Sequence, residues 1–205
     1  MAAPKRKPTK QSNVRRLPVA RQLVLRMTLT RIDPAIWRRV VLPEAFTLEQ
    51  LHRVIQCAFS WLDYHLYEFR VGDRRFQRSE DEGEGESAEQ TPLTALGLEP
   101  GARFTYVYDF GDDWEHEIVV EEVAPLPPAD DFDWFPRILD GERAGPPEDV
   151  GGIPGYEEFL AAFKNPKHPE HGERHAWAVP GFDPERFDLA AADHALALMC
   201  AWGAI

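Results

Sequence analysis

Between Asp109 and His116 the chain reads D-F-G-D-D-W-E-H, which places three aspartates and an imidazole within eight residues. The hard oxygens of Asp109, Asp112 and Asp113 could hold Mg²⁺ or Mn²⁺, and His116 could join them on a transition metal. A second polar stretch ending at Gly152 brings Arg143, Glu148 and Asp149, and His65 is a further imidazole to weigh with them. The same residue types also serve structure. Aspartates cap turns, an Arg143–carboxylate pair can tie down irregular backbone, and Trp114 can cover a core. The residues favour this structural use over ligand or partner binding, and binding over a metal or catalytic centre. His116-Glu117 opens like a metalloprotease helix, but Val120 stands where the second His ligand belongs, and the segment reads as strand. The candidate binding surface is therefore His65, Asp109, Asp112, Asp113, Trp114, His116, Arg143, Glu148 and Asp149, with no resident metal and no cofactor implied.

The elements that must position these groups are legible from pattern. Phe104, Tyr106 and Tyr108 alternate with Thr105 and Val107 before the Gly/Asp turn, and Ile118, Val119 and Val120 follow among acids, which predicts a hairpin over 103–122. Upstream, Leu23, Leu25, Met27 and Leu29 alternate with polar neighbours. Asp33-Pro34 signals a turn, and residues 36–42 return as a second strand. Thr47 and Gln50 have capping-box spacing, with Phe46 and Leu51 placed for a hydrophobic staple, and Leu48, Leu51, Ile55, Ala58 and Phe59 form an apolar stripe. A third strand is expected at 65–71 and a short one at 75–76. Residues 124–155 hold seven prolines and five glycines and read as irregular. Helices are expected around Tyr156–Phe163, at 169–177 and at 189–201. Together these give an α+β fold: a β-grasp-like mixed sheet with one packed helix over 21–123, extended by the hairpin, and residues 124–205 as a Pro/Gly-rich loop and helical C-terminal part.

Charge narrows the function classes. The first 26 residues hold eight Lys/Arg and no acid, whereas the remainder carries 15 Lys/Arg against 35 Asp/Glu. The body should repel nucleic acid, and only the basic, proline-broken tail over 1–20, expected to be disordered, could make a weak nucleic-acid contact. Two cysteines make no disulfide framework, no apolar run approaches the ~18 residues of a membrane span, and the N-terminus lacks a secretory apolar segment, so a cytoplasmic protein is expected. Gly83 to Ala88 formally fits a dinucleotide pattern, but no strand precedes it and its carboxylates would repel a pyrophosphate. His168, His171 and His175 have helical spacing, although Pro169 and Gly172 loosen any metal geometry there.

The pieces I-W-R-R-V from Ile36, T-L-x-x-L-H from Thr47, residues 61–69, Y-D-F-G-D-D-W-E-H from Tyr108, G-E-R-A-G-P-P-E-D-V-G-G-I-P-G-Y-E-E-F from Gly141 and F-D-P-E-R-F-D-L from Phe182 occur in one order. On these the chain resembles the plasmid pRiA4b ORF-3-like family, whose members are also described as TnpR-type passenger proteins of insertion elements. The resemblance implies an α+β fold without an established reaction. The function expected is a non-enzymatic accessory or interaction module with an unknown protein or small-molecule partner. A metal-dependent, phosphoesterase-like hydrolase built on 109–116 is the alternative. Many relatives carry cysteines where this chain has Ile138, Gly145 and Val150, so a thiolate metal site is excluded here. A resolvase reading finds no nucleophile: Ser12, Ser60, Ser79 and Ser87 lack a positioned base. A final expectation is that the 109–116 turn packs against the 141–152 loop, with Arg143 bonded to a carboxylate of one of the two.

Overall fold

The computed structural model describes residues 20–79, 85–127, 136–203 and 205. The basic tail therefore lies outside the described residues, except for Ala20. Eight strands form one mixed sheet in the order β5-β4-β3-β6-β7-β1-β2-β8, which with four α-helices makes an α+β fold. An interior strand, β1 (Arg21–Leu29), turns Leu23, Leu25, Met27 and Leu29 inward, each at most 1% exposed. Burying one such side chain is worth about 2 kcal/mol, and a one-residue slip would turn all four outward. β1 pairs antiparallel with β2 (Trp37–Pro43) on one side and with β7 (Trp114–Pro125) on the other. β6 (Arg103–Tyr108) joins β7 as the expected hairpin, and β3 (Tyr67–Val71) and β4 (Arg74–Gln77) continue the antiparallel order. β5 (Glu86–Ser87) adds a short parallel edge beside β4 from within the acidic segment.

Helix α1 (Leu48–Phe59) lies against the buried face. Both halves of the capping box are made: Thr47 Oγ1 accepts from the Gln50 N–H (3.2 Å), and Gln50 Oε1 accepts from the Thr47 N–H (2.9 Å). Thr47→Ala should cost about 1 kcal/mol, read as a lower urea midpoint with an unchanged slope. On its inner face His52 stacks on Tyr67 and shares a hydrogen bond with the Tyr106 hydroxyl, which also accepts from Gln56.

Residues 124–155 are not irregular throughout. Arg137–Glu142 forms β8, which pairs with β2 at the sheet edge. Only Ile138 of this strand is buried, so it carries no alternation to read. Helix α2 (Gly152–Lys164) packs Tyr156 edge-on to Trp114, and α3 (His171–Trp177) packs Trp177 on Phe159 of α2. Helix α4 (Leu189–Ala201) is fixed to β8 through Asp193, which accepts from Arg137 and from the Ile138 N–H.

Candidate functional site

Three segments meet at one end of the sheet: 60–66 after α1, 109–113 between β6 and β7, and 146–152 before α2. The first leaves the helix through Ser60 and Asp63, both in left-handed backbone. The Ser60 and Trp61 amides bond back to α1 carbonyls, and side chains take the next three. The Leu62 N–H donates to Glu148 Oε1 (2.7 Å), the Asp63 N–H to Gln56 Oε1 (3.0 Å) and the Tyr64 N–H to the Tyr108 hydroxyl (3.1 Å). Trp61 Nε1 donates to the Pro146 carbonyl, and the Asp63 carboxylate accepts from His52 and Arg78. Irregular backbone of this kind needs such partners, because its polar groups have no ladder to join.

The 109–113 turn is built on two left-handed aspartates, Asp109 and Asp113. Asp109 Oδ1 accepts from the Gly111 N–H (2.9 Å), while Asp113 pairs with Arg31 (2.8 Å). The turn does pack against the third segment. Asp112 Oδ2 accepts from the Gly151 N–H (3.1 Å), and Gly152, at φ +66, sits so close that a Cβ would come within 2.5 Å of the Asp112 carbonyl. Only glycine meets both demands.

This assembly brings His65, Asp109 and Asp149 together. His65 Nε2 lies 2.9 Å from Asp149 Oδ1 and 3.6 Å from Asp109 Oδ2, and the three donor atoms all fall within 4.8 Å of one another. Asp109 is 7% exposed, whereas the Asp149 side chain is 66% exposed. Glu148 stands beside them, its Oε1 taken by Leu62 and Tyr108 and its Oε2 buried without a hydrogen-bond partner.

The other sequence candidates lie elsewhere. Trp114 and His116 are 1% and 0% exposed, so they support the surface from below instead of facing solvent. His116 Nδ1 donates to the Trp114 carbonyl, its ring meets Trp61 and Phe59 edge-on, and burial pulls its pKa down to about 3. The hydrolase set Asp109, Asp112, Asp113 and His116 does not converge: Asp112 and Asp113 bond away from it, and His116 is sealed in the core. Arg143 is buried as a structural tie would be, but its expected partner was wrong. It donates to the Pro34 carbonyl (2.6 Å) and to Glu185 (3.2 Å), not to either acidic segment.

Ser60 caps α1, and Ser79 and Ser87 bond to Glu89, which leaves none of the three as a nucleophile; Ser12 lies outside the described residues. His171 and His175 give ring nitrogens to the Ala162 and Phe163 carbonyls, so they do not share a free metal-binding face.

Sequence reasoning missed the surroundings of the site. Leu62, Tyr64, Leu66 and Phe110 are 59%, 70%, 49% and 52% exposed, and all lie on the two segments that carry His65 and Asp109. The Asp109 N–H donates to the Leu66 carbonyl, which fixes the two segments side by side. The signal available was the alternation at 62, 64 and 66, which reads as a buried strand face; the strand begins only at Tyr67.

Comparison with known proteins agrees with this architecture. The family model of plasmid pRiA4b ORF-3-like protein matches residues 21–191, and the chain belongs to that family. It is 39% identical over 178 residues to the uncharacterized protein y4hQ of Sinorhizobium fredii, covering 85% of this chain and 88% of the relative. The crystal structure of a protein of unknown function from Methanosarcina mazei, MM3350, aligns with a TM-score of 0.75 at 32% identity, covering 84% of this chain and 97% of that one.

Proposed function

We propose that this member of the plasmid pRiA4b ORF-3-like family is a non-enzymatic interaction module. Its recognition surface comprises residues 62–66, 109–113 and 148–151. Membership by itself brings a fold without a reaction, since the relatives named above are described as uncharacterized or of unknown function. The observation that carries the reading is the exposure of Leu62, Tyr64, Leu66 and Phe110 on backbone held by hydrogen bonds at the Leu62 and Tyr64 amides and the Leu66 carbonyl. Single exposed apolar residues need no explanation, but four of them flanking one polar centre are what a partner-binding surface offers. Asp112, Asp113 and Asp149 lie among them, and the chain from residue 27 onward is strongly acidic. The partner is accordingly a protein segment that presents an apolar side chain with lysine or arginine beside it.

Tyr64→Ser and Phe110→Ser test this. Both side chains are more than half exposed, so each change should alter stability by no more than about 0.5 kcal/mol. A protein retained by wild-type chain on an affinity column should be lost by both variants. Retention unaffected by either substitution would reject this surface.

A further inference from the structure

We propose that His65, Asp109 and Asp149 form a binding site for one divalent cation of the Mn²⁺ or Zn²⁺ class. The site shares the surface described above but does not depend on the partner reading. It also revises the sequence-based expectation of no metal, because the ligand set differs from the one the 109–116 cluster suggested.

The first support is geometric. Donors bound at 2.0–2.2 Å to one ion stand about 3.0 Å apart at right angles and about 3.4 Å apart in a tetrahedron. The observed spacings, 2.9 and 3.6 Å with all three atoms inside 4.8 Å, bracket those values. Asp149 is the most exposed of the three, so its side chain can make the remaining adjustment without disturbing the core.

The second support is electrostatic and independent of the spacing. Asp109 is more than nine-tenths buried, its Oδ1 is fixed by the Gly111 N–H, and its Oδ2 faces His65 without a hydrogen bond. Glu148 Oε2, on the residue before Asp149, is buried and unpartnered. Among the described residues no lysine or arginine forms an ion pair with Asp109, Glu148 or Asp149. A largely buried carboxylate with no lysine or arginine paired to it is costly, and a bound cation would relieve that cost.

The donor chemistry selects the ion. One imidazole nitrogen with two carboxylate oxygens suits Mn²⁺ or Zn²⁺ better than Ca²⁺, which takes oxygen ligands throughout. Three protein ligands on an open surface leave positions for water or for a group supplied from outside. His65 Nε2 currently hydrogen-bonds Asp149 Oδ1, so an ion held by both groups takes the place of that hydrogen bond.

The test uses the full chain, stripped of metal with EDTA and titrated calorimetrically with Mn²⁺ and, separately, with Zn²⁺. One ion per chain is expected for at least one of the two metals. Asp149→Asn and His65→Gln should each weaken binding at least ~10-fold, since even outer-shell losses at metal sites reach that size. Asp149→Asn in EDTA should melt like wild type, because the side chain is exposed, so lost binding cannot be blamed on unfolding. Tyr64→Ser and Phe110→Ser should bind the ion normally while losing the protein partner, which separates the two readings. No binding of either ion, or titrations unchanged in both ligand variants, would overturn the site.

Discussion

Arg38→Ala is expected to destabilise the protein by about 4 kcal/mol, more than any substitution at the exposed surface. Arg38 is 1% exposed, and its guanidinium donates to three carbonyls: Ala58 at the end of α1 (2.7 Å), Trp37 on β2 (2.8 Å) and Glu142 on β8 (3.0 Å). It also lies over the rings of Phe59 and Phe187. No carboxylate partner meets it among the described residues, and burial pulls its pKa down to about 9. Removing it would orphan buried carbonyls on three elements and leave a cavity between two rings. Arg38→Lys should recover little, because a single ammonium cannot span three acceptors in one plane. Arg143→Ala should cost less, about 2 kcal/mol. Its partner Glu185 is half exposed and also paired with Lys164, so no charge is stranded in the interior. Equilibrium urea unfolding of the three variants checks both the order and the sizes. An Arg38→Ala protein as stable as wild type would refute this role.

The second large effect is on pH dependence. His116 is held neutral by burial, with its pKa lowered to about 3 against about 6.5 for an unfolded histidine. Below pH 6.5 the unfolded chain binds a proton that the folded chain refuses, so stability falls as pH falls. The contribution is complete above about pH 6.5 and is lost progressively down to about pH 3, at about 1.4 kcal/mol per pH unit. Between pH 7.5 and pH 5.0 this amounts to about 2 kcal/mol. His116→Phe, placed among Phe59, Trp61 and Tyr106, should remove that part of the pH dependence. Unfolding curves at the two pH values for both proteins give the difference directly. Equal pH dependence in wild type and variant would show that His116 does not carry it.

These two buried groups also mark where the sequence can and cannot be read. β1, α1 and the β6–β7 hairpin are legible because each repeats one period and carries its own punctuation: Leu or Met at every second residue, a Thr47/Gln50 box, and a Gly/Asp turn. The same period places Trp114, His116, Ile118 and Val120 on one buried face, opposite Glu115, Glu117 and Glu121. Read by alternation and not by chemical type, His116 belongs to the core from the start. β8 has no such pattern. It is held by backbone pairing to β2, and its Gly141 is required because a Cβ would meet the Phe187 ring at 2.6 Å. The contact between Asp112 and Gly151 follows from complementary loops, but Arg143–Glu185 joins positions 42 residues apart with no local signal. His65 reaches Asp149 only because the segment after α1 is pinned by Glu148, Gln56 and Tyr108.

The claim that this pinned end of the sheet is a recognition surface is tested most directly by photocrosslinking in the native cell. A benzophenone amino acid at position 64 is compared with one at position 100, in the loop before Arg103 at the opposite end of β6. The account predicts a discrete crosslinked partner from position 64, abolished by Phe110→Ser, and none from position 100. A partner captured from position 100, with none captured from position 64, would contradict it.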